Sequence, residues 1–119
     1  QAAIASLHQA RARLANGASV LFFPEGTRSR TGQLKPFKKG AFKMAQDLQL
    51  PLLPVTLTGT FEILPPGTAR LRPGQHAQIT LHTAIVPVGS SEAERVRLMH
   101  QSQIAIAAPL GEACPQLSL

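Results

Sequence analysis

Tryptophan and tyrosine are absent from this 119-residue chain, and cysteine occurs once, at Cys114. A single cysteine excludes an internal disulfide and any metal site built on a cysteine cluster, and it fits a reducing compartment. Aspartate also occurs once, at Asp47, which disfavours a Ser-His-Asp triad, and no two of the four histidines have zincin spacing. Neither G-x-x-x-x-G-K-[ST] nor G-x-G-x-x-G occurs, so the standard nucleotide loops are missing. The nearest approach to a nucleophile elbow, Gly17-Ala18-Ser19-Val20-Leu21, lacks its final glycine. No run reaches the roughly 18 to 20 apolar residues of a membrane-spanning helix, and no basic-then-apolar signal pattern opens the chain. Its first residue is Gln1 rather than methionine, as expected of a processed product or a piece of a longer protein.

What is present is a moderate apolar fraction, 44%, and a net charge of +6. That length and that apolar content suit one domain with a single modest core. The charge is unevenly placed. Between Glu25 and Lys43 stand Arg28, Arg30, Lys35, Lys38, Lys39 and Lys43 against Glu25 alone, while the remaining basic and acidic residues nearly cancel. A local excess of this kind points to a local anionic partner: a phosphorylated small molecule, an anionic membrane surface or nucleic acid. Nucleic acid is the weakest of the three, because Trp and Tyr are missing and no phenylalanine is placed for base stacking.

Periodicity supplies the elements. Ile4, Leu7, Arg11 and Leu14 recur at helical spacing, with Asn16 and Gly17 as a stop. The apolar run Ser19 to Phe23, ended by Pro24, suits a strand buried on both faces. Pro36 can open a second helix, with Ala41, Met44, Ala45 and Leu48 as its apolar stripe and Lys38, Lys39 and Lys43 on the other face. Leu52 to Thr58 reads as a strand disturbed by Pro54, Gly59 to Gln75 as loop, and Ala77 to Ile85 as a half-buried alternating strand. Ser91-Glu92-Ala93-Glu94 is a capping-box signature for a helix through about Ala107, and the last ten residues read as loose. The order of elements is that of the α/β class. The first two strands and their crossover helix would form a βαβ unit, which places Pro24 to Arg30 at the carboxyl end of a strand, where such folds bind ligands.

That loop is suited to an anion. Glycines at 26, 32 and 40 allow close backbone approach, Thr27 and Ser29 offer hydroxyls, and Arg28 a planar fork. Lys38 and Lys39 fall at the start of the next helix, where amides and the dipole also favour an anion. The plainer alternative is a solvated basic loop in which Arg28 pairs with Glu25. His8, His76, His82 and His100 read as surface or half-buried residues rather than catalysts.

The segment Phe23 to Arg30, FPEGTRSR, resembles the third sequence block of the glycerolipid acyltransferases typified by the 1-acyl-sn-glycerol-3-phosphate acyltransferases. Pro36-Phe37-Lys38-Lys39-Gly40-Ala41 resembles the F-K-x-G segment after it, and Leu53-Pro54-Val55-Thr56-Leu57-Thr58-Gly59 the V-P-V strand of the fourth block. The Arg72-Pro73-Gly74 turn before an alternating strand also fits, and the likeness runs from about Ala2 to Ala107. The resemblance implies a mixed sheet flanked by helices, like that of glycerol-3-phosphate acyltransferase but truncated at the N-terminus. It implies a partial acyltransferase domain over residues 1–108 and a loose tail over 109–119.

The resemblance further implies transfer of a fatty acyl group, from acyl-CoA or acyl-carrier protein, to a lysophospholipid, most often lysophosphatidic acid. No cofactor is needed beyond that donor, and no metal. Glu25, Gly26, Thr27, Arg28, Ser29, Arg30, Lys38 and Lys39 become acceptor-binding residues, with Arg28 on the phosphate, Glu25 orienting Arg28 or the glycerol hydroxyls, and Pro54 shaping the strand beside them. Lys38, Lys39 and Lys43 would either draw in an anionic membrane surface or merely solvate their helix. The location implied is the cytoplasmic face of a membrane, peripheral or anchored by a region not contained in this chain, with the oligomeric state left open.

The family's catalytic H-x-x-x-x-D motif, in which histidine is the general base and aspartate orients it, is absent. The fifth residue after His8 is Arg13, after His76 Leu81, after His82 Pro87 and after His100 Ala105. The second block, with its substrate arginine, is missing too. The chain therefore carries no catalytic residue of this motif and is expected to be inactive alone. A non-catalytic anion-binding or membrane-surface adaptor module is the alternative reading.

Overall fold

The computed structural model describes residues 2–112, and for 2–4 only the backbone. In chain order the elements are α1 (Ala2–Ala15), α2 (Gly40–Leu48), β1 (Val55–Thr58), a single-turn helix α3 (Thr60–Ile63), β2 (Gln78–Leu81) and α4 (Glu92–Ala107), the last running into a 3-10 turn at Ala108–Leu110. The expected tail therefore begins with a turn, and it is tied back to the domain: Glu112 Oε2 accepts from the Leu34 amide at 2.7 Å. Residues 113–119, with Cys114, lie outside the described residues.

Local sequence explains the helices. Ser91 caps α4, its Oγ accepting from the Glu94 amide at 3.1 Å, as the capping box predicts. The reciprocal half of that box is replaced. Glu94 turns away from the Ser91 amide and accepts instead from the Val88 amide at 2.8 Å and from Arg97 Nε at 2.7 Å. The Arg97 and Val88 hydrogen bonds outweigh the opposing effect of burial and hold the Glu94 carboxyl down at about 2, while the carboxylate raises the Arg97 guanidinium. Helix α2 starts at Gly40 rather than Pro36, so Lys38 and Lys39 precede it, with Lys39 at its N-cap. Its predicted stripe faces inward, Met44 and Ala45 being buried, and Phe42 and Gln46 are buried with them. At its end Gln49 takes a left-handed conformation (φ 50°), and the Gln49 and Leu50 amides donate to Gln46 and Ala45 carbonyls, which satisfies the last turn.

The core sits where α2 meets α4. Phe37 and Phe42 stack with centroids 6.2 Å apart, and Leu98 and Met99 complete the buried cluster, flanked by Leu34, Leu52, Ile85 and Ile106. Helix α4 also packs on β1.

The sheet differs from expectation. Residues 19–23 form no strand, and among the described residues the sheet is two-stranded, β1 paired antiparallel with β2. A strand exists through its ladder partners, and 19–23 has none here. The expected βαβ crossover is accordingly not formed within the described residues, and β1 follows a helix without returning beside an earlier strand. Gly59 to Gln75 is not all loop, since α3 occupies Thr60–Ile63.

The register pairs Val55 with Leu81, Thr56 with Thr80, Leu57 with Ile79 and Thr58 with Gln78, and an isolated bridge joins Leu52 to Ile85. Side chains of each pair share a face. The face toward α4 carries Thr56, which is fully buried. Its Oγ1 donates to the Ile106 carbonyl at 3.0 Å and lies 2.7 Å from His82 Nε2. A threonine hydroxyl has one proton, already committed to Ile106, so His82 donates from Nε2. Pro54, also buried, precedes β1, and its carbonyl accepts from the His82 amide at 3.0 Å.

Candidate functional site

The site is a clasped loop between Phe23 and Lys38. A turn closes first: the Gly26 amide donates to the Phe23 carbonyl at 3.0 Å, with Gly26 at φ +79°. The loop's two ends are then joined, the Lys38 amide donating to the Pro24 carbonyl at 2.7 Å. Two cross-links lie inside this closure. Glu25 Oε2 accepts from the Lys35 amide at 2.8 Å, and Lys35 Nζ donates to Thr27 Oγ1 at 2.7 Å. At the loop's apex the Thr31 amide donates to Ser29 Oγ and the Gln33 amide to Thr31 Oγ1, each at 3.3 Å.

Gly26 is required by shape as well as by dihedral. A Cβ at this position would lie 2.9 Å from Lys38 Cε and 3.1 Å from Lys38 Nζ, so the lysine stem crosses directly over the turn. At the far side the Phe61 ring stands 3.4 Å from where a Gly32 Cβ would be, which seats α3 against the basic loop. Neither arrangement has a signature in the sequence.

Of the residues singled out from the sequence, Glu25, Gly26, Thr27 and Lys38 are brought together by these bonds. Arg28 and Arg30 are exposed on the same loop, and Lys39 is exposed beside Lys38. Glu25 is occupied by the Lys35 amide, not by Arg28. Neither the pairing of Arg28 with Glu25 in the plainer reading nor an orienting role of Glu25 toward Arg28 is therefore what the geometry shows: the carboxylate builds the loop. Among the described residues Arg28, Arg30, Lys38 and Lys39 form no ion pair, whereas Lys43 meets Asp47 at 3.4 Å and Arg11 meets the same carboxylate at 3.7 Å. Lys43 thus separates from the lysines it was grouped with. Lys35 is the residue that sequence reasoning passed over, because its role depends on a bond to Thr27 across eight positions.

Two clefts adjoin this region. One, of about 120 Å³, is mainly apolar and runs between α1 and the loop, lined by Leu7, Phe22, Phe23, Pro24, Lys38 and Ala41 among others. The other, of about 460 Å³, is open and polar and lies beyond α3, with Glu62, Gln75 and His76 on its wall. Arg28 lines neither. Among the described residues no group of three His, Cys, Asp or Glu could hold a metal ion, and no helix is long and apolar enough to cross a membrane.

In chemical terms the loop is a binding device. It offers four cations free of acidic partners beside an apolar cleft, with no imidazole–carboxylate pair to move a proton.

Comparison with known proteins agrees in one direction. Residues 1–58 match the family model described as Acyltransferase. A 1-acyl-sn-glycerol-3-phosphate acyltransferase from Chlamydomonas reinhardtii is 49% identical over 82 residues, covering 68% of this chain and 24% of that protein. A chloroplastic protein of the same name from Arabidopsis thaliana is 40% identical over 92 residues, covering 77% of this chain and 25% of its own length. The chain thus spans about a quarter of the curated relatives it matches. Among solved structures, the 1-acyl-sn-glycerophosphate (LPA) acyltransferase PlsC from Thermotoga maritima superposes with a TM-score of 0.77 at 32% identity, over 88% of this chain and 44% of that one.

Proposed function

This chain belongs to the acyltransferase family, and from that premise we propose that it supplies the acceptor-binding loop of a phospholipid-biosynthetic enzyme. The reaction is transfer of a fatty acyl group, from acyl-CoA or acyl-carrier protein, to lysophosphatidic acid to give phosphatidic acid. The relatives' names support the acceptor and the chemistry. The observation that carries the loop's part is the set of free cations, Arg28, Arg30, Lys38 and Lys39, on a backbone held by the Lys38–Pro24 and Glu25–Lys35 hydrogen bonds. An ionised donor makes a stronger hydrogen bond to a phosphate than a neutral one, and a guanidinium can do so with two parallel N–H groups. Arg28 is assigned the phosphate, with Thr27, Ser29, Arg30, Lys38 and Lys39 around the headgroup and Gly26 giving the turn its shape.

The chain alone does not catalyse in this reading. Acyl transfer needs a base on the acceptor hydroxyl, and no H-x-x-x-x-D occurs in the sequence. An acyl-transfer assay on the purified chain is expected to show no turnover, and lysophosphatidic acid binding is expected to weaken in Arg28→Ala. Robust turnover would overturn the first statement, and unchanged affinity the second.

A membrane-surface role is favoured by a separate observation: Phe23 is 68% exposed at the mouth of the apolar cleft that Lys38 borders. Basic residues near an anionic bilayer contribute about 1 kcal/mol each. Peripheral attachment at the cytoplasmic face follows. Should Lys38→Ala/Lys39→Ala abolish binding to anionic liposomes while Arg28→Ala leaves lysophosphatidic acid affinity intact, the adaptor reading replaces the enzymatic one.

A further inference from the structure

The sheet has one dressed face and one bare one. Thr56 is sealed under α4, but the alternate residues are open, with Leu57 44%, Ile79 67% and Leu81 68% exposed and Leu53, just before β1, 55% exposed. The register places Leu57 opposite Ile79 and Val55 opposite Leu81, so these side chains form one apolar surface. An alternating strand ordinarily turns its apolar side to the core; here that side has no cover among the described residues.

A second observation has the same sense. The run Val20 to Phe23 is as apolar as a strand buried on both faces, yet it has no ladder partner, and Leu21 is 74% exposed. Charge does not explain either surface, because none of the exposed sheet residues is charged and the free cations stand on the 25–39 loop.

The comparisons indicate what could fit. The Thermotoga maritima enzyme shares this fold over 88% of the present chain, yet that match occupies 44% of its own length. More than half of that polypeptide is therefore available to cover what is bare here. We propose that the face formed by Leu53, Val55, Leu57, Ile79 and Leu81 is a docking surface for the part of the acyltransferase polypeptide outside the matched stretch, and that the two associate in trans. The inference rests on family membership and the exposed face. It is independent of the role assigned to Arg28.

The test is to co-express the full chain with the portion of the Thermotoga maritima acyltransferase outside the matched stretch. A 1:1 complex should co-purify, and amide exchange over 55–58 and 78–81 should slow by about tenfold or more relative to the chain alone. Leu57→Glu and Ile79→Glu should abolish the complex while leaving the helical circular dichroism of the chain unchanged, since both positions are solvent-facing in the isolated chain. Arg28→Ala should assemble as the parent does, which separates failure of the binding-loop reading from failure of this one. Polypeptides that stay apart overturn the proposal, as does a complex indifferent to the glutamate variants. So does a homodimer of the chain alone that Leu57→Glu disperses, because a second copy would then be the occupant.

Discussion

Two regions of the molecule treat charge in opposite ways. At the start of α4, Glu94 is buried and satisfied on both oxygens by Val88 and Arg97, Ser91 closes the cap, and Arg95 is paired with Glu92. In the loop from Phe23 to Lys38 the acid is also satisfied, by the Lys35 amide, yet Arg28, Arg30, Lys38 and Lys39 are left without an anion. The first region spends its polar groups on holding the fold. The second holds its backbone with amides and carbonyls and keeps its cations unspent, which is the arrangement a binding site for an anion requires.

The contrast can be broken from either side. The largest effect is expected in the α2–α4 core, where Leu98→Ala should cost about 2–5 kcal/mol, because the side chain is completely buried and its loss leaves a cavity. Urea unfolding would measure it, and lysophosphatidic acid affinity per folded molecule should not move. Acid should come next. Glu94 has its folded pKa depressed to about 2 from an ordinary 4.5, so its contribution to stability is complete above about pH 4.5 and is lost as pH falls through the interval down to about 2. Unfolding across that interval should show the loss, and Glu94→Gln should be less stable at neutral pH with a shallower acid slope.

On the loop side the order of effects reverses. Arg28→Ala should lower lysophosphatidic acid affinity roughly tenfold to a hundredfold, the equivalent of about 1.5–3 kcal/mol for a charged hydrogen bond, with thermal stability nearly unchanged because the residue is exposed and unpaired. Gly26→Ala should affect both properties, costing about 1–2 kcal/mol for the left-handed backbone and displacing the Lys38 stem that would lie 2.9 Å from the new methyl. Lys39→Ala should change stability by less than about 0.5 kcal/mol and show itself only in liposome binding at low salt. An Arg28→Ala variant that lost stability as Leu98→Ala does would erase the distinction between the two regions.

Local chemistry was legible. The cap at Ser91, the inward stripe of α2, the stop at Gly17 and the FPEGTRSR block all depend on residues within a few positions of one another, and each stands where the sequence placed it. The segregation of positive charge into one segment was equally plain.

Contacts between distant segments could not be read in advance. Alternation in β2 defined two faces but not which would be covered: α4 lies over Thr80 and His82 because Thr56 bonds to Ile106 and His82, and the more apolar face is left open. The run 19–23 looked like a buried strand, but a strand requires a partner, and none stands beside it among the described residues. Glu25 looked like a partner for Arg28 until the return of the chain brought the Lys35 amide to it, and Glu112 gained a role through Leu34, 78 positions away. Sequence by itself determined the periodic elements, the caps and the sign of the charge, because those are set by neighbours along the chain. The tertiary structure decided which carboxylates build the loop, which cations remain free and which sheet face is bare, because each of these depends on groups that only folding brings within hydrogen-bond reach.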